Sequence, residues 1–198
     1  SIRNFDLSQC TLTNYIGDNS FGECTSLILP EKGDYSLSCN ALRNAQLTEL
    51  RLPTAVNYLS CDNVLPTLLE HLYVSRTEPI NVESNALRNL DFDNCTLYVP
   101  IGSAKKYEEA NGWMNFTNIK EYGMQVVVGE QGKVRAGAQT LIGTATYFPM
   151  EATASFEILP NAGWHTESVT INGTAVAFAN NKFTLNADQL MGNLTVSR

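Results

Sequence analysis

The chain has 198 residues, 43% hydrophobic and 17% charged, which supplies one ordinary core or two small ones and excludes a chain disordered by composition. Thirteen Lys and Arg face twenty Asp and Glu, a formal net charge of −7 at pH 7. That balance argues against a nucleic-acid partner, which needs a basic field, and against adsorption to an anionic membrane surface. No apolar run reaches the ~18 residues of a membrane span, so membrane insertion is not expected. The chain starts at Ser1 without a basic-then-apolar leader, so a signal peptide is expected either to have been removed or never to have been present.

In chain order, a short apolar pattern recurs. It reads Phe5-Asp-Leu7-Ser8, Leu27-Ile-Leu29-Pro30, Leu50-Arg-Leu52-Pro53, Leu72-Tyr-Val74-Ser75 and Leu97-Tyr-Val99-Pro100, with steps of 22, 23, 22 and 25 residues. A second echo, Asn40-Ala-Leu-Arg-Asn44, returns as Asn85-Ala-Leu-Arg-Asn89 after 45 residues, two periods later. Spacing of this size belongs to leucine-rich solenoids. The fold class expected is therefore mainly β with little helix: a leucine-rich repeat solenoid of about five repeats, followed by a small all-β domain. Each repeat is one strand plus a return loop, too small to bury its own apolar face, so the strands must stack as a parallel sheet. Alternation turns Leu27/Leu29, Leu50/Leu52, Leu72/Val74 and Leu97/Val99 inward, and the closing Pro or Ser ends the pairing. Leu12, Phe21, Leu42, Leu65, Leu68, Leu87 and Phe92 are expected to form the opposite wall.

The five cysteines stand at 10, 24, 39, 61 and 95 with no C-x-x-C spacing, and His71 and His165 stand alone. No zinc site is expected, nor a disulfide-stapled fold. Cys39 and Cys61 follow their strand-ending prolines by nine and eight residues, and Cys24 and Cys95 precede theirs by six and five. These positions form columns in stacked repeats, which reads as buried thiols; a Cys39–Cys61 disulfide is the alternative.

Phe21-x-x-Cys24-x-x-Leu27-x-Leu29-Pro30 resembles the unit of the BspA-like leucine-rich repeat proteins, which are found on the surfaces of gut and oral bacteria. Cys95-Thr-Leu-Tyr-Val-Pro-Ile-Gly-Ser103, continuing through Tyr107, Trp113, Phe116 and Ile119 to Glu121, resembles the segment that ends such arrays. The resemblance covers residues 1–122 and implies an exported protein at the cell surface or outside the cell. The chain enters near a strand with no cap, so further repeats are expected upstream.

The end segment is punctuated as a helix over about 103–111, with Ser103 as N-cap and Gly112 as the left-handed stop. Tyr107, Ala110 and Trp113 then share a face that closes the solenoid's open end. Ser103-Ala-Lys-Lys106 also matches the S-x-x-K of penicillin-recognising serine enzymes, but its partner motifs are missing, and the cap reading is preferred. From residue 123 to 198 the repeat is gone. Short β-rich runs at 124–128, 132–136, 153–159, 168–171, 175–178, 182–185 and 193–196 are divided by turn signals such as Asn172-Gly173 and Asn180-Asn181. Phe156-Glu-Ile-Leu-Pro-Asn-Ala-Gly-Trp164 with Ser168-Val-Thr-Ile-Asn-Gly173 resembles the B-repeat modules of internalins, which implies a spacer or stalk.

No reacting set emerges: no G-x-S-x-G, H-E-x-x-H, phosphate loop or dinucleotide fingerprint. The protein is expected not to be an enzyme and to use no cofactor or metal. Asp91/Asp93 and Glu108/Glu109 read as surface carboxylates, and Asp91-Phe-Asp93-Asn94 as a solvated turn rather than a Ca²⁺ loop. What the repeat provides is an outward strand face. One column reads Asp6, Ile28, Arg51, Tyr73, Tyr98, and its neighbour reads Asn4, Ser26, Glu49, His71, Thr96. Arg and Tyr are enriched at binding hot spots. Ile28, Glu49, Arg51, His71, Tyr73 and Tyr98 are the candidate ligand-binding residues, for a host or bacterial surface protein or a glycan whose rings would stack on the tyrosines. The alternative is that strands favour aromatic residues for packing alone and that the fragment is a spacer with no ligand of its own.

Overall fold

The structure is a computed structural model in which residues 3–137, 139–149, 153–186 and 189–197 are described. The chain divides into two compact units, Ser1–Glu121 and Tyr122–Arg198.

In the first unit the 22–25-residue period becomes a β-solenoid of about five stacked parallel coils. One side of the stack is built by the repeating strands. Asn4–Asp6 pairs in parallel with Ser26–Ile28, and Glu49–Leu52, His71–Val74 and Thr96–Pro100 pair in parallel in turn. Ile119–Tyr122 lies next to the last of these. The inward leucines and valines at 27, 29, 50, 52, 72, 74, 97 and 99 are all buried.

The return segments hold more than the loop expected from the sequence. Each of the first four carries a second strand, Tyr15–Ile16, Tyr35–Leu37, Val56–Leu59 and Asn81–Val82, and these stack into a parallel sheet of their own. A third run of the coil stacks through backbone bonds instead: the Asn40 and Leu42 amides donate to the carbonyls of Asp62 and Val64, and the Asn63 and Val64 amides donate to those of Asn85 and Ala86. Leu42, Leu65 and Leu87 close the core from this side, while Leu12, Phe21 and Phe92 are only partly buried. Leu68 departs from expectation. It is 50% exposed, and the neighbouring Leu69 is buried in its place, because the position two residues before the strand (Cys24, Leu47, Leu69) is the one that turns inward.

The buried-thiol reading holds at Cys24 and Cys95 and gives way to the disulfide alternative at Cys39 and Cys61. Cys39 and Cys61 are bonded to each other and half-buried, their α-carbons 4.8 Å apart on consecutive coils. Cys10 is exposed; Cys24 and Cys95 are buried free thiols, and burial, helped by the charge of Asp91, pushes the Cys95 thiol up to about 11.

The end segment forms a lid, with altered punctuation. The helix spans Ala104–Glu109, shorter than expected, and Ser103 makes no side-chain capping bond. Its backbone (φ −108°, ψ −11°) is already near helical rather than in the extended form an N-cap needs, and the Glu121 carboxylate accepts the Ala104 amide at 3.1 Å instead. The helix stops at an extended Ala110, and the positive φ of Gly112 opens the following 3₁₀ turn Trp113–Asn115. Tyr107 and Trp113 are fully buried and meet edge to face at 5.3 Å. Tyr107 donates to the Arg76 carbonyl at 2.8 Å and Trp113 to the Ile80 carbonyl at 2.7 Å, so neither polar tip is left unmatched.

In the second unit two sheets share one apolar core. The first runs Thr144–Tyr147, Met124–Val128, Asn193–Ser197, Ser168–Ile171, Thr174–Ala175; the second runs Gln139–Leu141, Gly132–Ala136, Ala154–Pro160, Lys182–Leu185. Asn172 (φ 49°) and Gly173 (φ 81°) make the expected two-residue turn between Ser168–Ile171 and Thr174–Ala175. Gln139–Leu141 and Thr144–Tyr147 carry no alternation long enough to have been recognised. The run at 175–178 forms a strand only at its first residue.

Two measurements check this account. Leu69→Ala should cost ~2–5 kcal/mol in urea unfolding and Leu68→Ala no more than ~0.5, the reverse of what the unaided sequence suggests. Alkylation of the native protein should label Cys10 and spare Cys24 and Cys95. Unfolding without reductant should expose three thiols, and unfolding with reductant all five.

Candidate functional site: the strand face of the solenoid

The outward columns are set by strand register. Glu49 stands beside His71 and His71 beside Thr96; Arg51 stands beside Tyr73 and Tyr73 beside Tyr98; Asp6 stands beside Ile28. Adjacent parallel strands are ~4.8 Å apart, so side chains one rung apart on the same face are in contact distance whenever they are long and flat. Tyr73 and Tyr98 therefore stack, with ring centroids 4.3 Å apart and planes 9° from parallel. The Arg51 guanidinium carbon lies 4.4 Å from the Tyr73 centroid. These three side chains form one continuous stack across three coils, with dispersion and cation–π attraction along it.

His71 joins the stack from the neighbouring column. Its ring is 5.8 Å from that of Tyr98, and the Tyr98 hydroxyl is 3.4 Å from His71 Nδ1. Arg51, His71, Tyr73 and Tyr98 are half-buried; Glu49 is exposed and Ile28 is 37% exposed. The six candidates thus fall into a contacting group of four, a flanking Glu49, and an Ile28 paired with Asp6. The Glu49 column closes at Thr96, which is buried and whose hydroxyl accepts a bond from the Asn118 amide at 2.8 Å.

The sequence reading missed Glu31. Burial pushes its carboxyl upward while the charge of Arg51 pulls it down, so this acid shares the electrostatic environment of the guanidinium. Its position directly after the strand-closing Pro30 was the available signal.

The stack also changes what the tyrosines offer. Tyr73 has Arg51 near one side of its ring plane and Tyr98 on the other, so its faces are spent within the protein. The expected stacking of a sugar on Tyr73 has no free face to use.

The groups considered for chemistry are engaged elsewhere. Lys106 of the S-x-x-K match pairs with Glu78. Asp91 accepts the amides of Asp93 and Asn94 and the Asn94 side chain, which holds its carboxyl below the usual range and ties it to its own turn. The Cys24 thiol donates to the Ser26 carbonyl at 2.9 Å. Among the described residues no group of three His, Cys, Asp or Glu is placed to hold a metal, and no helix is long and apolar enough to cross a membrane. A groove of about 580 Å³ lies at the N-terminal coil, lined by residues including Leu7, Leu12, Tyr15, Ile16 and Phe21.

No family model, no curated protein and no solved structure matches this chain.

If the stack is a single energetic unit, a double-mutant cycle on Tyr73→Ala and Tyr98→Ala should return a coupling of ~0.5–1.5 kcal/mol in chemical unfolding. Additive effects would mean the rings contribute independently.

Proposed function

We propose that the first unit is a non-catalytic recognition module of an exported bacterial surface protein of the BspA-like leucine-rich repeat kind, and that it binds a protein ligand through Glu49, Arg51, His71, Tyr73 and Tyr98. The observation that carries this reading is the Arg51–Tyr73–Tyr98 stack. Side chains of the types that dominate interface hot spots are held on rigid strands, so a partner meets them already ordered and little rotamer entropy is lost on binding. Ring edges, two phenol hydroxyls, a guanidinium and a flanking carboxylate suit the mixed polar and aromatic surface of a protein better than the flat face of a sugar. The Cys39–Cys61 disulfide supports placement outside a reducing cytosol, where such bonds persist. The second unit is then a spacer or anchor for the solenoid.

A second reading has its own support. The same stack holds three coils together, and a protein that served only as a spacer would benefit from it equally. The two readings part on one experiment. Purified protein and its Arg51→Ala/Tyr73→Ala/Tyr98→Ala variant are applied to an array of extracellular-matrix proteins and glycans. Recognition through this face predicts a protein hit whose affinity falls at least ~30-fold in the variant, with far-UV circular dichroism unchanged. A protein hit of equal strength in both removes the site assignment, and silence from every protein on the array favours the spacer.

A further inference from the structure

The second sheet of the solenoid carries its aromatic residues in a different arrangement. Register sets Tyr15 beside Ser36, Ser36 beside Tyr58, and Tyr58 beside Asn81, forming one outward row. Its two tyrosines occupy alternate rungs, ~9.6 Å apart at a strand spacing of ~4.8 Å, so they cannot stack on each other as Tyr73 and Tyr98 do. Among the described residues neither ring meets another aromatic ring. Tyr15 is 59% exposed and is laid over Gly17, where an added Cβ would stand 3.3 Å from two of its ring carbons. Tyr58 is tethered by its hydroxyl, which donates to the Glu83 carboxylate at 3.0 Å, and the same carboxylate accepts the Cys61 amide beside the disulfide. Ser36 stands between them in the row, and Ser38 and Ser60 follow one step further along the coils, where their amides continue the ladder to the carbonyls of Ile16 and Leu37. Asn57 and Asp34 flank the row, bonded to each other at 2.7 Å. No Lys or Arg stands in the row.

Two ring surfaces separated by hydroxyls, with acceptors at the side and no cation, match the chemistry of an uncharged sugar chain. The C–H face of a pyranose packs on an aromatic ring, and its hydroxyls exchange bonds with serine, carboxamide and carboxylate groups. An acidic sugar would meet Glu83, Asp34 and a chain of net charge −7, with no Lys or Arg in the row to offset them. We propose that Tyr15, Ser36, Tyr58 and Glu83 form a platform for a neutral polysaccharide, which crosses the coils and places one sugar residue at each tyrosine. This site is on the second sheet and does not depend on the protein-binding reading of the first.

Native affinity electrophoresis in gels containing soluble β-glucan, xylan, mannan or dextran, with alginate as the acidic comparison, tests it on the full chain. The expected result is retardation by at least one neutral polysaccharide and none by alginate. Tyr15→Ala should weaken that retardation about tenfold or more, and Tyr58→Ala comparably. Tyr58→Phe, which keeps the ring and loses the Glu83 bond, should stay within about threefold of the wild type. The Arg51/Tyr73/Tyr98→Ala variant should be retarded as the wild type is, which separates this site from the strand face. Tyr15 is exposed, so its variant is expected to fold, and a thermal melt checks this; should Tyr58→Ala unfold, Tyr15→Ala decides alone. Absence of retardation by every neutral polysaccharide overturns the proposal, as does equal retardation by alginate or undiminished retardation of folded Tyr15→Ala.

Discussion

The outer surface of the first unit depends on one constraint: consecutive coils are joined by parallel pairing, so residues about 22 positions apart in sequence are held one strand spacing apart in space. That spacing is close to the thickness of a flat side chain. Two tyrosines on successive rungs therefore have little choice but to stack, and a guanidinium on the rung before them extends the stack. Two tyrosines on alternate rungs with a serine between them cannot do so and keep their rings available. The composition of a column, read rung by rung, thus decides whether its aromatic rings stack on one another or stand apart. Arg51, Tyr73 and Tyr98 are the first case, and Tyr15, Ser36 and Tyr58 the second.

This explains which parts of the architecture could be read without coordinates. Leu50, Leu52, Leu72 and Val74 announce themselves because each repeat places the same alternation at the same distance from a Pro or Ser, and a parallel sheet admits only one register that buries them all. The second sheet was illegible because its strands are two to four residues long. Tyr35-Ser-Leu37 contains a single alternation, too little to stand above chance. Leu68 and Leu69 show the same limit at one residue's resolution: two adjacent leucines in a turn satisfy the same composition, and only the stacking of 69 over 47 selects between them. On the strand face the columns were legible from the repeat. The stacking of Tyr73 on Tyr98 was not, because it depends on side-chain direction; neither was Glu31, which joins the site from a turn outside the repeat pattern.

The repeated Asn-Ala-Leu-Arg-Asn block is resolved in the same terms. Its two copies are two periods apart because the intervening coil fills the place with Asn63-Val-Leu-Pro-Thr67. Backbone bonds from Leu42 to Val64 and from Val64 to Ala86 join all three coils at this corner. What the three coils share at this corner is an asparagine, at positive φ in Asn40 and Asn63, followed by two apolar residues of the right size. The middle coil keeps that pattern with different residues. Cys39 and Cys61 adjoin this corner, where the stacking had already brought their backbones together. The disulfide therefore cross-links neighbours one coil apart, and it ties the second coil to the third beside the Tyr58–Glu83 contact on the second sheet.

A stack of coils has ends, and the end at the lid is closed by satisfying backbone rather than only by covering leucines. Beyond Asn81–Val82 the second sheet has no further strand. The Arg76 and Ile80 carbonyls in the same coil would be left without partners inside an apolar surface, a cost of a few kcal/mol. Tyr107 and Trp113 meet that requirement: each brings a large apolar ring to seal the core and a single donor that reaches one of those carbonyls. An aliphatic residue at either place would seal the core and strand the carbonyl; a serine would satisfy the carbonyl and leave the core open. The lid is helical for a related reason. A helix satisfies its own backbone and presents no edge, so the sheet that would otherwise continue as an open template is stopped by an element that cannot extend it.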